Sequence, residues 1–441
     1  MTMTESSPAT THAFHVIAKP TGARCNCACD YCFFLKKERL YPGSDFRMTD
    51  EVMESYIRQT IEAHHVPEVD IAWQGGEPTL MDLEFFRRAV AAEKKYAKPG
   101  QRVTNSLQTN GLLIDEEWCR FLHDNDFLVG ISLDGPRELH DAYRRDKGGK
   151  PVFDRAVRAV RLMQKHGVEF NVLCTVNAAN SRRPLEVYRF FRDELGARYV
   201  QLIPIVEREN ETGDQEGTRL TERSVEPARY GRFLIEIFDA WVRRDVGTMF
   251  VTFFDSVLTS YVRGESSVCV FRRECGDALA LEHNGDLYSC DHFVEPACLL
   301  GNITKTPLAE LVASEKQRAF GRAKADTLPR VCRDCRFLFT CGGECPKNRV
   351  LDAPDGEPGL NWLCEGLKVF FAHTERAMRI MAGLLGRGMP AAGIMDVLAE
   401  EEGRSPAAGA PGFARGTISA AKARPLTKRR VVPKIPRGHV R

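Results

Sequence analysis

Cys25-Asn26-Cys27-Ala28-Cys29-Asp30-Tyr31-Cys32 follows closely on an apolar stretch at residues 14–19. That stretch reads as a β-strand, so the cysteine loop leaves the strand's C-terminal end. Cys25, Cys29 and Cys32 have the spacing C-x3-C-x2-C. Thiolates are the preferred ligands of iron–sulfur clusters. A four-iron cluster takes four ligands and this spacing offers three. One iron is then open to another group, as in a catalytic metal site. The competing reading is a zinc knuckle or a redox thiol pair. Zinc asks for a fourth ligand, which here would have to be Cys27.

The pattern repeats outward from the loop. Further strands are expected at 69–74, 103–108, 127–133, 169–176 and 199–206, between Gly, Pro, Asn or Asp. Helices are expected at 48–64 (after a Thr49/Asp50 cap), 83–96, 116–124, 153–165 and 185–194. Six such repeats imply α/β architecture with a parallel sheet. They suit a partial (β/α)6 barrel better than a closed eight-fold one, and a doubly wound sheet stays open. In parallel barrels the active site lies at the C-terminal ends of the strands, where the cysteine loop is.

The expected organisation is a flexible leader at 1–13, the barrel domain at 14–243, a second domain at 244–385 and a tail at 386–441. Residues 207–230 read as an exposed loop and 230–243 as a helix. In the second domain strands shorten and cysteines crowd. Cys269, Cys275 and Cys290 come first, with Gly285 between the last two; Cys332, Cys335, Cys341, Cys345 and Cys364 follow. Eight thiolates would complete two four-iron clusters or two zinc sites, and spacing alone does not separate these. A helix at 367–385 is expected to close the domain. The tail is rich in Ala, Gly, Pro, Lys and Arg and is expected to be disordered.

Composition narrows the function classes. The chain has 441 residues, of which 43% are hydrophobic, and a net charge of +2. Near neutrality gives no reason to expect a nucleic-acid or membrane partner. No apolar run reaches membrane-helix length, and residues 1–13 lack a secretory pattern. A cytoplasmic location is therefore expected. There, 15 clustered cysteines read as metal ligands rather than disulfides.

The other strand ends carry polar groups. Trp73-Gln74-Gly75-Gly76-Glu77-Pro78 ends the second strand, Leu107-Gln108-Thr109-Asn110-Gly111 the third and Ser132-Leu133-Asp134-Gly135-Pro136 the fourth. Paired glycines let a ligand approach the backbone, although Gly-Gly is also a plain turn. Arg144 offers a guanidinium fork for a carboxylate. Ser132 and Arg144 taken singly also read as ordinary surface polarity.

Together these motifs resemble the radical S-adenosylmethionine (SAM) superfamily, and the far cysteines resemble its SPASM domain. The resemblance implies three 4Fe-4S clusters and SAM as cofactors. It implies SAM bound to the cluster of Cys25, Cys29 and Cys32, with contacts from Tyr31, Gly76, Ser132, Arg144 and Val206. It also implies that Cys269, Cys275, Cys290 and Cys345 hold one auxiliary cluster, and Cys332, Cys335, Cys341 and Cys364 the other. Cys27, Cys119, Cys174 and Cys298 are left over, with Cys119 and Cys174 expected in the core.

Gln74-Gly75-Gly76-Glu77-Pro78-Thr79, the stretches 105–111 and 127–136, and Tyr288-Ser289-Cys290-Asp291 resemble the anaerobic sulfatase-maturating enzymes. That resemblance covers residues 14–380. It implies radical oxidation of a Cys or Ser in a sulfatase Cys/Ser-x-Ala/Pro-x-Arg motif to Cα-formylglycine. It makes Asp291 the base, where an exposed structural Asp is the alternative, and Gln74 a substrate contact. Phe34 replaces the family's usual Tyr. The implied partners are an unfolded sulfatase and an electron donor such as flavodoxin or ferredoxin, with the enzyme a monomer. The competing functions are a SPASM enzyme that forms thioethers in a small peptide and a non-catalytic iron–sulfur or zinc scaffold.

Overall fold

A computed structural model describes residues 14–403. Residues 1–13, and with them the leader, lie outside the described residues, as does the tail from 404 onward.

Six parallel strands form the centre: β1 (His15–Lys19), β2 (Glu68–Trp73), β3 (Arg102–Thr109), β4 (Phe127–Ser132), β5 (Glu169–Val176) and β6 (Tyr199–Pro204). Their order in the sheet is their order in the chain. A doubly wound sheet would reverse that order at a switch point, so the strands wind one way, as in a partial barrel. Burial on β4 alternates strictly. Phe127, Val129 and Ile131 lie under the outer helices, while Leu128, Gly130 and Ser132 face the other way, half-buried. Cross-strand partners share a face. Parallel register therefore puts Ala72, Ser106, Leu128, Ser132, Leu173 and Thr175 on one inner surface.

Side-chain caps start the outer helices. Thr49 Oγ1 accepts from Val52 N ahead of Asp50–Ala63, and Asp82 does the same from Phe85 N ahead of Leu83–Tyr96. Pro184–Arg189 ends early, and Phe190–Glu194 continues as a wide π-type turn. Tyr188 and Arg192 on either side of that junction both reach Asp245.

The sheet is larger than the sequence reading allowed. β7 (Phe250–Val251) extends it beyond β6, and β8 (Ala278–Glu282), β9 (Asp286–Tyr288) and β10 (Leu299–Asn302) extend it beyond β1. β8 pairs in parallel with β1 from His15↔Ala278 to Lys19↔Glu282. The expected boundary at 243/244 is thus no break in the sheet. A small separate hairpin pairs β11 (Arg349–Asp352) with β12 (Pro358–Asn361).

The closing helix is Cys364–Gly386, longer than expected, and it packs on Pro227–Arg244. A Cβ on Gly366 would meet Pro227 O at 1.9 Å, so the two helices touch backbone to backbone. The stretch 386–441 is also corrected at its start. Ile394–Glu401 is a helix whose Ile394 is buried, and Arg243 holds Glu402 just beyond it.

Candidate active site

The cysteine loop lies where β1 ends, clamped to the turn after β2. Gly76 N donates to Gly22 O and Glu77 N to Arg24 O. A Cβ at Gly76 would meet Arg24 O at 1.9 Å, so only glycine lets the loops meet. What approaches Gly76 most closely is thus the protein's own chain. Glu77 is fully buried and ties β2 to β3. It accepts from Thr79 N and Oγ1, Thr109 Oγ1 and Asn110 N. Asn110 returns to the cysteine loop, donating to Asn26 Oδ1 at 2.7 Å.

The four loop cysteines are not alike. Cys27 is buried against Leu112 and Val152, whereas Cys25, Cys29 and Cys32 keep some exposure. Hydrogen bonding to the sulfurs of Cys25 and Cys29, with burial, pushes the Cys27 thiol far up. The same bond, aided by Arg144, draws Cys29 down to about 7 against the effect of burial. The loop therefore presents three partly exposed cysteines, one of them prone to ionise, and one buried S–H. This donor set fits a three-thiolate cluster.

Asp134 is the buried anchor of the rim. It accepts from Tyr31 Oη at 2.6 Å, Arg144 Nε at 2.7 Å and Nη2 at 3.1 Å, and Thr175 N at 2.9 Å. Burial would push its carboxyl up, but Arg144 outweighs that and holds it below the ordinary aspartate range. The Arg144 fork, read from sequence as a carboxylate clamp, is thus closed on an internal carboxylate. Ser132 accepts from Gln108 Nε2 at 3.0 Å on the inner face. Gln74 N bonds Ala18 O, which sets Gln74 beside Lys19 at the strand ends. Val206, just past β6, is buried, and its carbonyl faces Lys347 Nζ at 3.4 Å.

Asp291 follows Cys290 beyond β9 and reaches the same inner face. It is no free surface acid: its carboxylate pairs with the ammonium of Lys19, the last residue of β1. Burial raises its carboxyl and Lys19 more than reverses this, leaving it below the ordinary range. Lys19 in turn lies over the ring of Phe34, 4.3 Å from its centroid. The ring that stands where a Tyr is usual is therefore a support for Lys19. The sequence reading placed Asn110 and Asp134 only among the polar groups of the strand ends, without a role, and missed Lys19.

The far cysteines fall into two groups. Cys332, Cys335, Cys341 and Cys364 line one partly open pocket, walled by Val331, Phe337, Leu338, Leu367 and Phe371. Four thiols around one apolar space fit a cluster of four irons. In the other group, Cys345 and Cys269 both act on the charge of Cys290, and Cys269 acts on Cys275. Cys298 belongs to neither. Cys119 and Cys174 are core residues.

Comparison with known proteins agrees with this architecture. Residues 20–190 match the radical SAM superfamily and residues 269–336 the SPASM iron-sulfur cluster-binding domain. The chain is 43% identical to the serine-type anaerobic sulfatase-maturating enzyme of Bacteroides thetaiotaomicron, over 88% of this chain and 97% of that one. It is 33% identical to the cysteine-type enzyme of Clostridium perfringens, over 81% and 95%. The structure of native anSMEcpe with bound AdoMet and Cp18Cys peptide superposes with a TM-score of 0.76 at 32% identity, covering 84% of this chain and 99% of that one. SuiB of Streptococcus suis shares the fold at 15% identity and a TM-score of 0.55. The chain is a radical SAM enzyme that uses 4Fe-4S clusters and SAM, and it belongs to the family of anaerobic sulfatase-maturating enzymes.

Proposed function

We propose that the protein oxidises a Cys or Ser side chain in a sulfatase Cys/Ser-x-Ala/Pro-x-Arg motif to Cα-formylglycine. The observation that carries this reading is the convergence of the three-thiol loop and Asp291 on one inner surface. The relatives' names support the same substrate.

Cys25, Cys29 and Cys32 would hold the SAM-binding cluster, and Cys27 would not. Gly75 and Gly76 would offer carbonyls to the SAM ammonium, and Tyr31, Ser132 and Arg144 would contact SAM from the rim. Arg144 spends two N–H donors on Asp134 and keeps others for the cofactor. Val206 would close the adenine side. Cys269, Cys275, Cys290 and Cys345 would hold one auxiliary cluster, and Cys332, Cys335, Cys341 and Cys364 the second. When bound, these groups supply a 5′-deoxyadenosyl radical that takes a hydrogen from the target Cβ, and a sink for one electron.

The chain's own residues do the rest. Gln74, beside Lys19, would hold the peptide. Asp291 would take the thiol or hydroxyl proton; the carboxylate held by Lys19 at the end of β1 supports this role. Lys19 keeps Asp291 in place. The product is an aldehyde, reached through a thioaldehyde and water when the target is Cys. A sulfatase polypeptide in unfolded form is the partner. A flavodoxin- or ferredoxin-type protein would donate the electron, and the enzyme would act as a cytoplasmic monomer. No helix of the described residues is long and apolar enough to cross a membrane.

The test is anaerobic incubation of the loaded enzyme with SAM, a reductant and Cys and Ser peptides of the motif. Mass spectrometry should show loss of two hydrogens from Ser, or exchange of SH and one hydrogen for oxygen from Cys. Deoxyadenosine without any peptide change would sink the maturase reading.

A further inference from the structure

The cysteine loop has a basic neighbour to which the reaction outlined above gives no part. Residues 143–151 run beside the loop and bond to its main chain. Asp30 N donates to Tyr143 O at 3.0 Å, Ala28 N to Arg145 O at 2.8 Å and Lys147 N to Asn26 O at 3.2 Å. Cys27 and Asp146 face each other in an antiparallel bridge, and Arg145 and Pro151 in another. The segment is thus a tight hairpin laid along the loop. Its tip, Lys147-Gly148-Gly149-Lys150, is exposed, and so is Ala28 between Cys27 and Cys29.

The free charges of this hairpin have one sign. Arg145, Lys147 and Lys150 are exposed, and none forms an ion pair with a carboxylate of the described residues. Asp146, the hairpin's own acid, is engaged locally. Its Oδ1 accepts from Gly148 N and Lys150 N at 3.0 Å each, and its Oδ2 pairs with Arg155 at 3.4 Å. Arg144 is taken by Asp134. The loop's one acid, Asp30, is within electrostatic reach of Arg223. Gly148 and Gly149 put no side chain between the two lysines, so a partner's surface can approach the main chain there. Cations at an exposed tip are usually only solvated; position separates these. An electron that reduces iron on Cys25, Cys29 and Cys32 has to cross the protein surface nearest the loop. The hairpin is bonded directly to Asn26 and Ala28, each next to one of those cysteines.

We propose that Arg145, Lys147 and Lys150 form the docking surface for an acidic one-electron carrier protein, which reduces the cluster of Cys25, Cys29 and Cys32. This rests on the assignment of those three ligands given above, and not on the identity of the peptide. The carrier's reduced centre loses one electron and the cluster gains it; no bond is made or broken. Complementary charge steers such a partner to the loop and raises its association rate by about 10-fold or more. The gain fades as salt screens the exposed charges.

The experiment takes the full iron-loaded enzyme with SAM and two reductants, a bacterial flavodoxin in its hydroquinone form and dithionite, a small ion that needs no docking surface. In the triple variant Arg145→Glu/Lys147→Glu/Lys150→Glu, deoxyadenosine formation at limiting flavodoxin should slow by about 10-fold or more. It should also lose its decline with added salt. The rate with dithionite should stay near the wild-type value. A second readout needs no turnover. Carbodiimide coupling of flavodoxin carboxylates to the wild-type enzyme, mapped by mass spectrometry, should join them to Lys147 or Lys150. An unchanged rate with flavodoxin, an equal loss with both reductants, or cross-links confined to other lysines would overturn the proposal. A raised KM for the peptide under dithionite, with flavodoxin kinetics unaltered, would give the patch to the substrate and overturn it likewise. If the triple variant loads less iron, Lys147→Gln and Lys150→Gln decide by the same readings. Wild-type enzyme that forms deoxyadenosine with neither reductant would overturn the ligand assignment and the proposal with it.

Discussion

The ammonium of Lys19 is held between two groups, the carboxylate of Asp291 and the face of Phe34. Lys19 ends the strand that launches the cysteine loop, and Asp291 follows a cysteine of the second domain. One ion pair therefore joins the strand that carries the cysteine loop to the Cys290–Asp291 corner. Asp291→Asn should still cleave SAM but form product at least 100-fold more slowly, within the range for loss of a general base. The check is the ratio of deoxyadenosine to formylglycine. Normal product formation would remove Asp291 as the base.

Lys19→Met should leave Asp291 as a partly buried charge without its partner. Breaking such a pair costs about 3 kcal/mol. Thermal unfolding should show that loss, and the product ratio should fall toward that of Asp291→Asn. The double variant Lys19→Met/Asp291→Asn should recover much of the stability and none of the product, a coupling that a double-mutant cycle measures.

Gly76→Ala should be far more damaging than its size suggests. The added methyl would meet Arg24 O, so the cysteine loop must move. Iron content should drop by about four per chain, and deoxyadenosine formation should be lost. Retained SAM cleavage would show that the loop is less tightly clamped than its hydrogen bonds imply.

Cys27→Ser should keep its iron and its SAM cleavage, because the sequestered thiol is a hydrogen-bond donor in the loop. Cys29→Ser should lose both. Equal losses in the two variants would make Cys27 a ligand.

Glu93 gives a test in the scaffold. It is buried, accepts from Asn105 Nδ2 at 2.9 Å, and burial raises its carboxyl to about 8. An unfolded glutamate titrates near ~4.3. The folded chain thus holds this proton more tightly, and stability is lost as pH rises from the unfolded value through the folded one. Above that window the cost is on the order of 5 kcal/mol. Glu93→Gln keeps the acceptor and removes the cost. Its melting temperature should exceed the wild type's, by more at about pH 8 than at about pH 6. A gain independent of pH would contradict the buried-carboxyl account.

Much of this was legible in the chain and some was not, for identifiable reasons. Leu83–Tyr96, Glu116–Asp124 and Glu169–Val176 form within the expected limits, because caps and apolar periodicity are local signals. Lys19 was not legible. A lysine ending a strand reads as exposed, and only a residue far along the chain gives it a partner. The pairing of β8 with β1 is hidden for the same reason, since register between distant strands leaves no local mark. The cysteine spacing announced eight thiols, but their division into two groups came from family resemblance. Ile394–Glu401 was overlooked because Ala, Gly, Pro and Arg around it masked a short apolar face.

The parallel seam between β1 and β8 has a further consequence for how such enzymes diversify. The cysteine loop and the Cys290–Asp291 corner spring from one continuous hydrogen-bonded sheet. A truncation after Arg243 would strip β1 of its outer neighbour and bare an apolar edge, which invites aggregation. The two halves are therefore not exchangeable parts. A graft that kept every cysteine but shifted this seam by one residue would turn β8 over against β1, whose facing is already set by β2, and the corner that carries Asp291 would no longer be delivered to Lys19.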